Sequence, residues 1–493
     1  MTTQINSPKS KPKTPSRIKK WSIRSLVFLL VVTAIILLWV EYQMKYYRGE
    51  FMGAIETSDI IPINGEYIIT NVHLLNPQGT EMLPQQDVII NNGKIKQIGT
   101  KLNTSAQLLT EVKGEGRYLI PGLMDGHTHL TESPNDLWLF LVNGVTHLRD
   151  MGGNGYHLKL RDERQDQPLW PDLFVASEKV YTTPWYKVWF TEWTRTRIAL
   201  SSAENAADTV NGLKANGFDA LKISGGLTAS HYESLLKAAQ QADLLVVGHI
   251  PINEVSLDQF LTMGQQEIAH IEELTKAFER EFGLKVTGLN ETTVDEYLNY
   301  VEIRSQEIAE LIKAKGTHIT TTIWLMESLP KQKLILESFL KTVELAYVNP
   351  NNIEGTPLVR GWLPGHHSYA SSDYWFETAE RTTELKLYWE TYVDAIHIMI
   401  RALLSHDVEF TAGTDAITTG VVPGFSLHDE LESLVNLGMS SDQALQTATR
   451  IPGQWLSKVS KTPQSGQTGQ IKAGYKANLV LLRDNPLDDI KNT

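Results

Sequence analysis

The sequence predicts an α/β protein: a (β/α)8 TIM barrel with a small β-sandwich domain formed by both chain ends, preceded by an N-terminal transmembrane helix. Three observations predict this organisation. Short apolar runs alternate with amphipathic helical patterns through the middle of the chain, β-rich segments flank them on both sides, and one long apolar run lies near the N-terminus.

The first part of the chain contains a candidate membrane anchor. Residues 1–20 are polar and basic, as is typical of a disordered tail, and residues 21–42 contain an apolar run with aromatic residues at both ends. A spanning helix needs ~20 such residues. A cleaved signal peptide is the alternative, although no small-residue cleavage pattern follows the run. Since basic flanks stay in the cytoplasm, we expect a single-pass protein with its catalytic domain outside, in the periplasm if the source is a Gram-negative bacterium.

Composition restricts the chemistry. The chain of 493 residues is long enough for one large barrel with an appendage. Its net charge of −12 argues against nucleic-acid binding, because proteins hold phosphates with Lys and Arg. The chain has no cysteine, which excludes disulfides, thiolate nucleophiles and cysteine-ligated zinc. Any transition metal must therefore be held by histidine and carboxylate side chains.

Residues 56–118 and 465–493 predict one small β-domain built from both chain ends. The first segment has two strand-like runs around the hairpin turn Asn92-Gly93, and the second contains a similar run at 477–482. Residues 119–460 between them are assigned to the barrel. Its eight predicted strands include the runs 118–120, 145–148, 173–176, 220–223, 244–247, 267–270, 318–323 and 408–411.

An insertion of roughly 85 residues, at about 324–404, separates the last two predicted strands, because the spacing there is far longer than the ~30 residues of one βα unit. It is rich in aromatic residues. Three roles are compatible with that composition: a lid over the site, an interface, or a surface that faces the membrane.

Possible metal ligands stand at the expected carboxyl ends of several strands, where barrels of this kind carry their chemistry. His127 and His129 follow strand one, and alternation along an extended chain points both imidazoles the same way. Later strand ends carry Lys222, His249, His270 and Asp415. One histidine alone is usually structural, as we expect for His147 within strand two and for His366-His367 on the surface. A buried strand lysine is harder to dismiss, because an unpaired ammonium there costs several kcal/mol.

Six segments resemble motifs of the amidohydrolase superfamily, in its imidazolonepropionase-like and prolidase-like (Xaa-Pro dipeptidase-type) branch. The segments are Pro121 to His129, Gly144 to Gly153, Gly248 to Pro251 with the His270 segment, Ala412 to Asp415, and Ala477 to Leu487. The resemblance covers roughly residues 60–490, apart from insertions around strands three and seven. It implies a hydrolase acting on carbon–nitrogen bonds.

The resemblance also implies a site with two divalent metal ions, for which zinc is well suited. It assigns His127, His129 and Asp415 to one ion, and His249 and His270 to the other. Lys222 would be carbamylated and would bridge both ions, which explains why lysine is tolerated there. A hydroxide shared by the ions would attack the substrate, and Asp415 would act as the catalytic residue that passes its proton to the leaving amine.

The binuclear pattern favours a hydrolase of linear amides, with a dipeptide or an N-acyl amino acid as the small-molecule substrate. The alternatives are a hydrolase of cyclic amides (imidazolone or lactam), lactones or other esters, and a catalytically inactive, membrane-tethered binding protein. Retention of every expected ligand argues against the inactive protein. Lys179, Tyr181 and His231 follow strands three and four and are candidate substrate contacts. The sequence is compatible with a homo-oligomer.

Overall fold

The computed structural model describes residues 17–53, 55, 60, 62–102, 109–133, 135–164, 167, 169–195, 197–366, 379–459 and 467–493. Most of the basic tail, His367 and the aromatic residues at 369–376 of the predicted insertion lie outside the described residues.

The described strands, in chain order, are β1 (Glu66–Leu75), β2 (Met82–Asn91), β3 (Lys94–Gly99), β4 (Thr110–Lys113), β5 (Tyr118–Pro121), β6 (Leu123–Thr128), β7 (Val145–Gly153), β8 (Asp172–Ser177), β9 (Lys179–Thr182), β10 (Arg197–Leu200), β11 (Ala220–Ile223), β12 (Leu245–Gly248), β13 (Glu267–Ile268), β14 (His318–Ile319) and β15 (Leu479–Leu482). The described α-helices are α1 (Arg17–Arg48), α2 (Asn135–Val142), α3 (Gly155–Arg164), α4 (Val188–Arg195), α5 (Ala206–Ala215), α6 (Ala229–Ala242), α7 (Leu257–Met263), α8 (Glu272–Phe282), α9 (Glu291–Lys315), α10 (Ile323–Leu334), α11 (Leu336–Phe339), α12 (Pro350–Glu354), α13 (Ala379–Ser405), α14 (Phe425–Asn436), α15 (Ser441–Thr447) and α16 (Arg450–Val459).

A six-stranded sheet joins the two ends of the chain. Its order is β15-β5-β1-β2-β3, with β4 parallel to β1. The predicted hairpin turn is confirmed, since Asn91 pairs with Lys94 across Asn92-Gly93, whose φ angles of 48° and 72° suit such a turn. Alternate apolar residues of β1 and β2 pack into a separate small core. The second layer of a sandwich stays a prediction.

The expectation that 118–120 forms the first barrel strand is wrong. These residues are β5, which pairs with β1 and with β15 in the small sheet. The chain changes sheets at Gly122, whose N–H donates to Asn478 at 2.8 Å, while Leu123 N donates to Gly144 O at 2.9 Å. A Cβ on Gly122 would lie 2.2 Å from Thr146 Oγ1, so only glycine fits this crossing. The first strand of the larger sheet is therefore β6.

The larger sheet is parallel and TIM-barrel-like, with helices between its strands. Its strand order is β10-β9-β11-β8-β7-β6, with β12 beside β11, and β13 and β14 pair with each other in a separate two-stranded parallel sheet. Backbone hydrogen bonds of 2.9 Å run from Ala269 N to Gly248 O, from Thr411 N to Ile319 O and from Gly126 N to Ala412 O. The carboxyl ends of these strands lie on one side, which brings residues far apart in the chain to the same place.

Helix α1 contains a segment, Arg24–Arg48, with a mean hydropathy of 2.3 over its most apolar window. None of that window is buried against the rest of the described chain. Within the described residues this is the helix that is long and apolar enough to cross a membrane, although a signal sequence near an N-terminus would have the same properties.

Part of the predicted insertion is packed against the rest of the protein. Its last helix, α13, packs Ala395, Met399 and Leu403 into the main core. Trp362 is buried in a smaller cluster with Val348 and Val422. Part of its aromatic content therefore serves packing.

Candidate metal centre

Three metal-binding side chains converge at the end of β6. His127 lies within this strand and His129 just beyond it, and their Nε2 atoms lie 3.5 Å and 3.2 Å from Asp415 Oδ1. Asp415 is held by its backbone, whose N–H donates to His127 O at 2.8 Å. One donor atom from each residue falls within 4.8 Å of the other two. This arrangement suits a single metal ion with two nitrogen ligands and one oxygen ligand.

Lys222, on β11, extends its side chain toward His127 and His129. Its side chain is fully buried, and its Nζ lies 3.0 Å from His127 Nε2 and 3.5 Å from His129 Nε2. Burial, and after it the charge of nearby Lys179, holds the pKa of the Lys222 amine well below 10.5. This environment favours the uncharged amine over the ammonium ion, and the uncharged amine is the form of lysine that reacts as a nucleophile.

His249 and His270 complete the group. Their ring centroids are 5.1 Å apart, and the His270 ring centroid lies 4.2 Å from that of His127. His249 Nδ1 lies 3.0 Å from Glu273 Oε1, and His270 Nδ1 lies 3.3 Å from Thr322 Oγ1. Because the Nδ1 atoms are engaged, the Nε2 atoms are left as the ligand atoms.

His127 follows the same rule, since its Nδ1 lies 3.2 Å from Ala269 O. Glu273 also accepts a hydrogen bond of 3.1 Å from Ile250 N, so this carboxylate is fixed at both oxygens. Partners of this kind set the tautomer and the orientation of metal-binding imidazoles.

The electrostatics of the group keep its ligands in metal-binding form. Burial lowers the pKa of His129 and of His270 to about 4, and lowers the pKa of His127 and His249 well below 6.5. Burial alone would raise the pKa of Asp415, but interactions with its neighbours, His270 first and then His129, hold the pKa below its usual range. At neutral pH the imidazoles are uncharged and the carboxylate is ionised.

Asp415 is one of several described residues with a buried oxygen that lacks a hydrogen-bond partner. Asp415 Oδ1 is inaccessible to solvent and accepts no hydrogen bond, although two imidazole nitrogens face it. A buried carboxylate oxygen in this state is costly unless a cation occupies the space before it. The side chains present therefore fit a bound divalent metal ion.

The predicted substrate contacts lie in different places. Lys179 and His129 line the same cavity of about 330 Å³. Tyr181 faces Gly226, where a Cβ would lie 2.2 Å from its ring, and the Arg197 guanidinium lies 5.0 Å from the Tyr181 ring centroid. His231 lies in the first turn of α6, with its Nδ1 2.5 Å from Thr228 Oγ1.

The predictions for His147 and His366 agree with the structure, whereas His367 lies outside the described residues. His147 is buried, and its Nε2 lies 2.7 Å from Thr468 Oγ1 and 2.9 Å from Asp172 Oδ2, so it has a structural role. His366 is exposed, as expected.

Residues that the sequence analysis missed complete the cavity. Arg48 and Tyr47, from the end of α1, line it together with Arg197 from β10. Arg48 Nε lies 3.3 Å from Glu132 Oε1, and Glu132 N donates to Arg48 O at 2.7 Å. No pattern in the sequence connects the end of an apolar helix with a loop more than 80 residues later.

Residues 118–493 match the model of the amidohydrolase family. The chain belongs to the amidohydrolase family. This confirms the superfamily that the motifs predicted. Among curated relatives, the ochratoxinase of Aspergillus niger is 37% identical over 79 residues, which are 16% of this chain and 15% of that protein. The matched stretches cover 11% to 15% of the length of the first curated relatives.

Solved structures of amidohydrolases share the fold over most of the chain. A bottromycin amidohydrolase aligns with a TM-score of 0.62 at 20% identity, over 90% of this chain and 89% of that one. A Xaa-Pro dipeptidase with bound methionine in its active site aligns with a TM-score of 0.57 at 15% identity, over 87% of this chain and 96% of that one. At these identities the likeness establishes the amidohydrolase fold.

Proposed function

We propose that this protein is a membrane-anchored, metal-dependent amidohydrolase that cleaves the amide bond of a small molecule with a free carboxylate, such as a dipeptide or an N-acyl amino acid. The observation that carries this proposal is the cationic lining of the cavity beside the metal centre. Lys179, Arg197 and Arg48 line it together with His129 and the carboxylate of Glu132. Arg48 is ion-paired with Glu132 and with Glu50, so Lys179 and Arg197 are the cations proposed to meet the substrate.

The six clustered side chains are the proposed ligands of two divalent ions, of which zinc suits the nitrogen and oxygen donors. His127, His129 and Asp415 would hold one ion and His249 and His270 the second, with carbamylated Lys222 between them. The low pKa of the buried Lys222 amine supports carbamylation, because the uncharged amine is the reactive form. Ions bound there supply an acidified water and polarise the carbonyl of the amide.

The chain's own residues position the substrate and move the proton. Asp415, ionised and lacking a hydrogen-bond donor on Oδ1, is the proposed base, and it returns the proton to the leaving amine nitrogen. Lys179 and Arg197 would bind the substrate carboxylate, since charge-assisted hydrogen bonds fix orientation as well as contributing affinity. With the carboxylate held there, the amide bond would lie in the cavity that His129 also lines.

Two structural parts of the proposal concern the scaffold. The parallel sheet is proposed to be a closed (β/α)8 barrel, which the hydrogen bonds of Thr411 to Ile319 and of Gly126 to Ala412 support. Helix α1 is proposed as an uncleaved anchor. Its carboxyl end supports this, because Tyr47 and Arg48 line the cavity and their removal would open it.

The proposal is tested with purified full-length protein and pairs of substrates that differ only in the carboxyl group. We expect hydrolysis of dipeptides and N-acyl amino acids, and a loss of at least ~10-fold in kcat/KM for the matching carboxamides. Equal rates on each acid and its carboxamide would contradict the carboxylate assignment. Preference for a lactam, imidazolone, lactone or other ester in the same panel would favour the alternative class.

An inactive, membrane-tethered binding protein is the rival from another class. It would bind the acids without turning them over in the presence of added zinc. Single-turnover assays at enzyme excess distinguish this outcome from a slow enzyme, because even one cleavage per site is then detected.

A further inference from the structure

The segment that follows β9, a 3-10 turn at Trp185–Lys187 and then helix α4, carries an unusual surface. Four large aromatic side chains are exposed there: Trp185, Tyr186, Trp189 and Phe190. Trp185 is 80% exposed and Trp189 65% exposed. A large exposed apolar surface on a folded protein usually marks a site of contact with another protein or with a membrane. We call these four residues the aromatic surface.

The aromatic surface lies next to the end of the apolar helix. Trp193 lies one turn further along α4 than Trp189 and stacks on it with ring centroids 5.3 Å apart. Trp193 Nε1 donates a hydrogen bond of 2.8 Å to Glu41 Oε2. Glu41 is the first charged residue after the apolar run of α1. The hydrogen bond therefore fixes α4 at the level where that run ends.

The same level carries further exposed aromatic residues. Tyr42 and Phe51 stack with ring centroids 5.4 Å apart, and both side chains are more than half exposed. Lys187 is exposed within the aromatic surface, with its Nζ 5.7 Å from the Tyr186 ring centroid. Trp and Tyr collect at the boundary between hydrocarbon and headgroups, where a lysine can reach lipid phosphates.

We propose that the aromatic surface is a second membrane contact: it inserts into the interfacial layer of the bilayer in which α1 is anchored. This inference rests on the proposed anchor. The bilayer is the occupant that the geometry favours, because the aromatic surface continues the exposed apolar face of α1 at the level where that face ends. A second copy of the chain would not require this alignment.

The contact would also orient the metal centre. At the carboxyl end of α1, Arg48 forms an ion pair with Glu132 in the loop after β6. Helix α4 follows β9, the strand that begins at Lys179. Both membrane contacts thus lie on the side of the sheet where the strands end. The cavity lined by His129 and Lys179 would open close to the bilayer surface.

The absence of cysteine allows a direct test, since a single introduced cysteine is the only one labelled. Trp189→Cys, and Trp185→Cys as a second position, are given a nitroxide label in the full-length protein in nanodiscs of phosphatidylcholine and phosphatidylglycerol. Collision with oxygen, which dissolves in lipid, is compared with collision with a water-soluble nickel chelate. Leu30→Cys on α1 is the lipid control, and Ile303→Cys on α9, 67% exposed, is the aqueous control.

We expect labels at 185 and 189 to be at least ~3-fold less accessible to the nickel chelate than the label at 303, with oxygen contact approaching that at 30. Labels at 185 and 189 that match 303, with 30 in lipid, would overturn this inference and leave the anchor intact. A label at 30 that matches 303 would overturn the anchor itself. Spin–spin broadening at 189 between two copies in one nanodisc, with no lipid contact, would assign the surface to a dimer and overturn the inference.

Discussion

Lys222 Nζ lies 3.0 Å from His127 Nε2, and both side chains are fully buried. The pKa values of both groups lie well below their ordinary values, first because of burial. An ammonium ion would be poorly accommodated beside these imidazoles. An anionic, carbamylated lysine between two cations would resolve the conflict, which is why this contact is central to the proposed mechanism.

Replacing Lys222 with alanine removes the proposed bridging ligand. We expect Lys222→Ala to lose at least ~100-fold in kcat, and to bind one metal equivalent fewer than the parent, by metal analysis of the purified protein. Lys237→Ala, on the exposed face of α6, is the matched control and should resemble the parent. A Lys222→Ala variant that retains full metal and activity would show that this lysine is structural.

Glu273 should act on the metal centre through His249. In Glu273→Gln the oxygen near His249 Nδ1 no longer carries charge, so we expect a loss of ~10–100-fold in metal affinity while the fold is retained. Competition with a zinc chelator measures this affinity. The exposed Glu302→Gln on α9 serves as the control. Parent-like affinity in Glu273→Gln would remove Glu273 from the account.

Lys179 should determine recognition of the carboxylate. Lys179→Met keeps the length of the side chain and removes its charge, so we expect KM for the acid substrate to rise ~10–100-fold. KM for the matching carboxamide should change little, because no carboxylate is present to lose its partner. Steady-state kinetics with both substrates separate these effects. An equal change for both would point to a general role in shaping the cavity.

Stability should fall in acid partly because of His318. Burial lowers the pKa of His318 to about 3, against 6.5 when unfolded, and its Nε2 lies 2.8 Å from Thr411 Oγ1. Between those values the unfolded chain binds a proton that the folded chain does not, so stability present above pH 6.5 is lost as the pH falls. As the pH is lowered through this range, the free energy of unfolding should fall in both proteins. In His318→Gln the slope should be smaller than in the parent by about 1.4 kcal/mol per pH unit.

Urea unfolding between pH 6.5 and 4 checks this expectation. His406→Gln, at a partly exposed position, provides the control. Identical slopes for the parent and for His318→Gln would mean that other buried groups account for the acid sensitivity.

The sequence was most informative where spacing and chemistry coincide. Lys222, His249 and His270 could be placed because buried strands recur at about one βα unit, and their side chains do lie together. The same reasoning misassigned 118–120, because an apolar run identifies a strand but not the sheet in which it pairs.

Contacts between distant parts of the chain left no signal. Glu273 is adjacent to Glu272, and nothing in one sequence distinguishes the glutamate that contacts His249. Arg48 and Tyr47 line the cavity because the end of α1 packs against the loop around Glu132. Such docking depends on tertiary structure, which local periodicity does not encode.

The most direct test of the metal-dependent mechanism is the content of transition metal in the purified full-length protein, measured on the same sample as amide hydrolysis. We predict two equivalents per chain, and a loss of activity in proportion to metal removed by a chelator. Fewer than one equivalent per chain in a sample that hydrolyses amides would contradict the account.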